Sequence, residues 1–301
     1  MRLLVIGASG QLGRALVEEA PEWDFEAMGT YESRPAASAS PPLQHFHLDM
    51  TDAKEVESVF EKAKPDACVL AAAYTNVDGC ETDKAMADRI NVEGTRNVAE
   101  ACKRRNCLFV FISSDYVFDG KKGPYSEEDE PNPINHYGRT KLEGEKIALG
   151  VKEHLVVRTT IVFDFREAKN FATRLAERLR AGEQVLVPVD QVGSPTWAPN
   201  LAEAICELIS EKKRGTYHVV GRDLMNRFEF ALTVARFFAL DERLLKPVKT
   251  ADLAQAARRP LKAGMKINKA KKELQTKLLG VKEALDEAEE RGMLGKFAEQ
   301  C

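Results

Sequence analysis

In the stretch HYGRTKLEGE (136–145), Tyr137 and Lys141 stand four positions apart, and helix-forming residues follow them. On a helix that spacing puts both side chains on one face. A free phenol has a pKa of about 10, too high for efficient acid–base work at neutral pH. An adjacent ammonium favours the phenolate and lowers that value. A phenol tuned in this way suits reduction of a ketone, which needs hydride on carbon and a proton on oxygen. The stretch SSDYVFDG (113–120), at the end of a strand pattern, adds Ser113, Ser114 and Asp115. Ser114 is expected to hydrogen-bond the substrate oxygen and fix it near the phenol. Lys141 is also expected to hold the ribose hydroxyls of a nicotinamide nucleotide. The competing reading is ordinary: Tyr137 packs and Lys141 is solvated. Y-x-x-x-K arises easily by chance in a chain with six tyrosines, so context has to decide.

The N-terminus supplies that context. GASGQLG (7–13) follows the apolar run Leu3–Ile6 and opens a helical pattern with Leu12, Leu16 and Val17. A pyrophosphate needs backbone N–H groups at a helix N-terminus and no Cβ in its way. Gly7 is assigned the turn, Gly10 the close approach and Gly13 the helix–strand packing, with Gln11 and Leu12 completing the cofactor loop. The G-x-x-G-x-x-G spacing differs from the dinucleotide fingerprint G-x-G-x-x-G, and a plain strand–helix turn is the alternative. An acidic residue ending the second strand would bind the ribose 2′-hydroxyl of NAD and repel a 2′-phosphate. Thr30 holds that place, followed by Glu32 and Arg34. Arg34 can pair with a 2′-phosphate, whereas Glu32 argues the other way. The expectation is NADPH, with NADH as the alternative. Asp49 and Met50 are expected beside the adenine, and Ala71, Ala72 and Ala73 elsewhere along the cofactor.

These residues need a scaffold. Strands are expected at 25–30, 46–50, 67–74, 108–114 and 154–160, with helices at 51–64, 82–105 and 140–149 between them. Thr51 and Asp52 are the cap candidates for the first of these helices. Alternating strand and helix implies a parallel sheet covered on both faces, and right-handed crossovers make it a doubly wound α/β Rossmann sheet. In such sheets ligands bind beyond the carboxyl ends of the strands, where the serines stand. Residues 1–160 are read as the NAD(P)-binding domain, its sheet extended by 200–221. Residues 161–301 are read mostly as a smaller C-terminal substrate-binding lobe. That lobe has a helical pattern at 228–240 and Leu274, Leu278, Leu279 and Leu285 at helical spacing. PAASASPP (35–42) reads as a surface connection.

Composition narrows the classes. The 301 residues are 44% hydrophobic and 30% charged, enough for a real core. A net charge of −3 offers no basic field for nucleic acid. Six cysteines without a CxxC pair fit reduced thiols better than disulfides or zinc, and no metal ligand cluster stands out. No window approaches the ~20 apolar residues of a membrane span, and glycines interrupt the N-terminal run too early for a secretory signal. A cytoplasmic protein is expected.

Taken together, the motifs resemble the extended short-chain dehydrogenase/reductase superfamily, and more closely the dTDP-4-dehydrorhamnose reductase family. The resemblance spans nearly the whole chain: GASGQLG, AAAYTNVDGCE (71–81), INVEGTRNVAEAC, SSDYVFDG, YGRTKLEGE, VVRTTIVF (156–163), KNFATRL (169–175), DQVGSPT (190–196) and RRPLKAG (258–264). It implies NAD(P)H-dependent reduction of a 4-keto-6-deoxy sugar nucleotide, the last step to dTDP-L-rhamnose. It makes Ser114, Tyr137 and Lys141 catalytic. It sets Asp115, Tyr74, Thr75 and Asp78 toward the sugar, and Gln191, Thr196 and Arg259 on the substrate side. Relatives sometimes dimerise, so a homodimer is compatible with the resemblance. Two departures stand out. Ser114 replaces the usual threonine and keeps the hydroxyl, whereas Ile161 replaces the usual tryptophan and removes a stacking surface from the sugar pocket. A dehydratase would carry glutamate where this chain has Tyr116. The chain also resembles the regulatory beta subunit of methionine adenosyltransferase, a binding protein. KNF and DQVGSPT, which build the sugar side, argue for the enzyme.

Overall fold

The computed structural model describes residues 1–33, 44–166 and 170–300. Seven strands form one sheet in the order Gly215–His218, His154–Thr159, Leu108–Ser114, Ala67–Leu70, Arg2–Ile6, Glu26–Tyr31, Gln44–His47. Every neighbouring pair is parallel. Side chains alternate across the first strand, so Leu3 and Val5 join one core while Leu4 and Ile6 join the other. Both faces are buried, which is why these strands read as unbroken apolar runs. The first core packs the sheet on helices Gln11–Glu19 and Ala198–Ser210 through Leu16, Leu201 and Ile205. The second packs it on Ala53–Ala63 and Thr95–Arg105 through Val56, Phe60 and Val98. A third cluster, including Phe163, Leu175, Trp197, Phe230 and Leu285, is built from later residues.

The strand order reverses between Arg2–Ile6 and Ala67–Leu70, and the crevice above this pair is the natural ligand position of a doubly wound sheet. Local chemistry sets the elements around it. Of the two cap candidates, Asp52 accepts from the Lys54 N–H at 2.7 Å and starts Ala53–Ala63. The fourth strand stops at Leu70, short of the expected 74. There the N–H groups of Ala71 and Ala72 both turn to the Ile6 carbonyl, at 3.0 and 2.9 Å, instead of continuing a ladder.

Two readings of the sequence are corrected. The helix expected over 82–105 is three pieces: Lys84–Asp88, a π-helical turn Arg89–Gly94, and Thr95–Arg105. Asn91 in the wide turn accepts from the Tyr74 N–H at 2.8 Å and donates to the Tyr74 carbonyl at 3.1 Å and Thr140 Oγ1 at 3.0 Å. Those bonds hold a buried amide against the crevice, a common use of a π turn. Nor do the C-terminal leucines share a helix. Leu274, Leu278 and Leu279 lie between helices Asn268–Glu273 and Val281–Glu290. Their segment is held by side chains of Ala198–Ser210. The Glu207 carboxylate accepts from the N–H groups of Gln275 and Thr276, at 2.5 and 2.8 Å, and Asn200 Oδ1 from that of Leu279, at 2.9 Å. Partners from another helix let this backbone forgo its own helical bonds.

Candidate active site

A cleft of about 960 Å³ runs across the carboxyl ends of the strands. At one end is the glycine turn. Gly7 has φ +89°, and a Cβ there would lie 2.8 Å from the Ala72 nitrogen. A Cβ on Gly13 would lie 2.1 Å from the Gly7 carbonyl oxygen, so helix Gln11–Glu19 sits on the turn only because that atom is missing. No side chain caps this helix at Gly10, so its first N–H groups face the cleft. That combination fits a pyrophosphate. Gly7, Gly10, Gln11 and Leu12 line the cleft, while Gly13 lies behind it. Gln11 Oε1 accepts from Asn170 Nδ2 at 2.8 Å.

Along the adenosine side, Thr30, Asp49, Met50, Ala71, Ala72 and Ala73 all line the wall. Thr30 is buried, and its Oγ1 accepts the Gly7 N–H at 3.2 Å, so it braces the turn. Asp49 accepts from the N–H and the hydroxyl of Thr51, both at 2.8 Å, which holds its carboxyl below the usual carboxylate range. Arg34 lies outside the described residues.

At the other end stand Ser114, Asp115, Tyr137 and Lys141, all buried and all in the wall. Ser114 ends its strand, and its Oγ donates to Asp115 Oδ1 at 2.9 Å while accepting the Tyr116 N–H at 3.2 Å. Tyr137 and Lys141 share helix His136–Leu149, which Asn135 caps by accepting the Gly138 N–H at 2.8 Å. The Ser114 hydroxyl, facing the Tyr137 phenol, favours its ionised form, and the Tyr137 ring meets Tyr116 edge-on, 5.6 Å between centroids. Lys141 Nζ sits 4.2 Å above the Phe111 ring.

The electrostatics correct one expectation. The spacing predicts that Lys141 pulls the phenol's pKa down, yet Tyr137 is held well above its ordinary value. Burial strips water from a phenolate, and the Asp115 carboxylate repels it. Burial also lowers Lys141, to about 8, against the opposing pull of Glu145. Glu145 is engaged elsewhere: it accepts from Ser113 Oγ at 2.5 Å and from Arg158 Nε and Nη2 at 2.8 and 2.7 Å. Asp115 is pushed up to about 6 by burial, with Thr160, Ser114 and Arg227 opposing. At neutral pH the phenol is therefore a proton donor beside a mostly ionised carboxyl.

Tyr74 and Thr75 line the cleft, but Asp78, Gln191, Thr196 and Arg259 are not in its wall. Asp78 and Arg259 pair with each other at 2.7 Å, and Asp78 also accepts the Ala257 N–H at 2.9 Å. Gln191 donates to Thr250 Oγ1 at 3.0 Å. Thr196 is buried, donating to the Ser194 carbonyl at 2.9 Å and accepting the Gly221 N–H at 3.1 Å. The DQVGSPT run is thus held by its own polar groups. Conversely, Thr160 and Asn170, inside the quoted runs VVRTTIVF and KNFATRL but not named as site residues, line the cleft, as does Arg227, which no quoted motif contains. Thr160 is hidden in a strand pattern, and Arg227 reads as a plain charge before an apolar helix. Ile161, already noted as a replacement, also lines the wall and has φ +45°, an unusual conformation for a β-branched residue. Among the described residues no cluster of three His, Cys, Asp or Glu could hold a metal, and no helix is long and apolar enough to cross a membrane.

Comparison with known proteins gives the family and the fold. The family model described as the RmlD substrate binding domain matches residues 1–292. The probable low-salt glycan biosynthesis reductase Agl14 of Haloferax volcanii is 32% identical over 91% of this chain and 92% of its own length. The dTDP-4-dehydrorhamnose reductase of Aggregatibacter actinomycetemcomitans is 33% identical over 89% of this chain and 91% of its own. A crystal structure of dTDP-4-dehydrorhamnose reductase from Bacillus anthracis in complex with NADP matches with a TM-score of 0.85 and 30% identity, over 95% of this chain and 97% of that one. The chain belongs to the dTDP-4-dehydrorhamnose reductase family, matched here through its RmlD substrate binding domain, and is an NAD(P)H-dependent oxidoreductase.

Proposed function

We propose that this protein uses NADPH to reduce a 4-keto-6-deoxy sugar nucleotide, dTDP-4-dehydro-L-rhamnose, to dTDP-L-rhamnose. The observation that carries the reading is the convergence of Ser114, Tyr137 and Lys141 at one end of a cleft whose other end is an uncapped helix N-terminus behind a glycine turn. The relatives named above point to the same chemistry, and the cofactor in the Bacillus anthracis structure supports NADPH over NADH.

Gly7, Gly10 and the first N–H groups of helix Gln11–Glu19 would hold the cofactor's pyrophosphate, and the Lys141 ammonium its ribose hydroxyls. When bound, NADPH supplies the hydride. Tyr137, protonated at neutral pH, gives its proton to the carbonyl oxygen as charge develops there. Ser114 has one hydrogen to donate. Turning it from Asp115 to the substrate oxygen fixes that oxygen beside the phenol, while Thr160 still favours the Asp115 carboxylate. Tyr74, Thr75 and Ile161 form the sugar wall. Residues 1–160, with Gly215–His218 completing the sheet, make up the nucleotide side in this reading, and residues 161–301 most of the substrate side. Buried free cysteines at 68, 80, 102, 107 and 206 suit a cytoplasmic setting.

The test follows the nicotinamide absorbance on mixing purified protein, NADPH and dTDP-4-dehydro-L-rhamnose. Consumption is expected, and the free ketosugar should be a poor substrate because remote binding energy drives positioning. Tight NADPH binding without turnover of any 4-keto sugar nucleotide would overturn the reading.

A further inference from the structure

The DQVGSPT segment turns its own polar groups inward, yet it fixes a residue that does reach the cleft. Val192–Gly193 pairs antiparallel with Met225–Asn226, and the Arg227 N–H donates to the Gln191 carbonyl at 3.0 Å. Asn226 caps helix Arg227–Phe237: it accepts the Glu229 N–H at 2.9 Å, and Glu229 accepts the Asn226 N–H at 2.8 Å. Arg227 is therefore anchored at its backbone by a strand pair and a capping box. Its side chain lies in the cleft wall with Asp115, Tyr116 and Ile161. The guanidinium carbon stands 5.2 Å from the centre of the Phe171 ring, a contact that orients the planar fork.

Among the described residues no carboxylate lies within ion-pair distance of this guanidinium. Arg259 nearby differs, because its charge is matched by Asp78 at 2.7 Å. Asp115, in the same wall, feels this charge but lies beyond ion-pair distance, so the half-buried cation is only partly compensated, and an anion from a ligand removes the remaining penalty. The fork geometry of arginine matches phosphate oxygens two at a time.

We propose that Arg227 grips the diphosphate of the sugar nucleotide, an assignment that rests on the reductase reading above. With the 4-keto group at Ser114 and Tyr137, the diphosphate on C1 leaves the opposite side of the sugar ring. In this reading it meets Arg227, which shares the cleft wall with Asp115. The cofactor carries a diphosphate too, but its place is the glycine turn at the far end of the cleft.

Calorimetric titration of NADPH-loaded protein with thymidine diphosphate, and with thymidine as the phosphate-free control, separates these sources. Arg227→Gln is expected to weaken thymidine diphosphate by roughly 10–100-fold, the loss typical of a charge-assisted hydrogen bond. Thymidine and NADPH affinities should stay within about twofold, and Arg227→Lys should recover part of the loss. An unchanged diphosphate affinity in Arg227→Gln overturns the proposal, as does undetectable diphosphate binding by the parent. An equal loss of NADPH affinity would instead assign the residue to the cofactor and equally overturn it. Should the parent turn over no ketosugar nucleotide while Arg227→Gln still loses diphosphate affinity, the reductase reading fails and the anion site stands. Normal turnover by Arg227→Gln with an unchanged KM keeps the reductase reading and overturns the anion site.

Discussion

The two ends of the cleft use their motifs in opposite ways. At the end proposed for the nucleotide, most residues of GASGQLG form the wall itself, because the groups offered to a ligand there are backbone N–H donors and the glycines clear space for them. At the end proposed for the sugar, DQVGSPT is absorbed in holding loops together: Asp190 accepts from the Thr250 N–H at 2.9 Å and hydroxyl at 2.6 Å, and Thr196 bridges Ser194 and Gly221. The wall there comes from Thr160, Ile161 and Arg227. A motif can therefore mark a site by touching the ligand or by building what touches it, and only side-chain direction tells the two apart.

Substitutions at the two ends sharpen that contrast. The largest effect is expected from Tyr137→Phe, which keeps the ring's packing and removes the proton donor. Turnover should fall by about 10²–10⁴-fold with NADPH affinity nearly kept, measured by steady-state rates and fluorescence titration. A parent-like rate would remove Tyr137 from the chemistry.

Gly13→Ala comes next. Its new Cβ would collide with backbone, 2.1 Å from the Gly7 oxygen, so the turn must move. Overpacking of this kind costs about 1–3 kcal/mol, enough for roughly tenfold weaker NADPH if the strain falls on the loop. Unaltered cofactor affinity and Tm would mean that the helix–turn contact is not tight in solution.

Thr196→Val tests the other end. It leaves the buried Gly221 N–H without its partner, for about 1–3 kcal/mol of stability. The structural role predicts a lower Tm with kcat and KM per folded molecule little changed. A raised KM at unchanged Tm would instead return Thr196 to the substrate side.

The mildest test is pH. Lys141 carries its proton below about 8 and loses it above, whereas Tyr137 stays protonated well beyond that. Reduction should therefore decline as pH rises through about 8, with the loss in cofactor-dependent kcat/KM. A flat profile from about pH 6 to about pH 10 would show that the lysine's charge is not needed.

Much was legible in the residues alone. Period and composition announced a doubly wound parallel sheet, since strands buried on both faces must be apolar throughout and the helices between them one-sided. The glycine turn and the pair Tyr137 and Lys141 could be placed at strand ends because short spacings along a strand–turn–helix are set by local backbone geometry. What needed the fold was everything decided between distant segments. Burial and the Asp115 charge hold the phenol's pKa up where Lys141 was expected to lower it, because a pKa depends on the surroundings of a group rather than on its neighbours in sequence. Asp78, expected toward the sugar, and Arg259, expected on the substrate side, meet across 181 residues and match each other's charge. Leu274 and Leu278 share helical spacing, yet Glu207 and Asn200 from another helix supply the hydrogen bonds that let their segment stay non-helical. Arg227 had no distinguishing pattern, and only a strand pair with DQVGSPT turns it into the cleft.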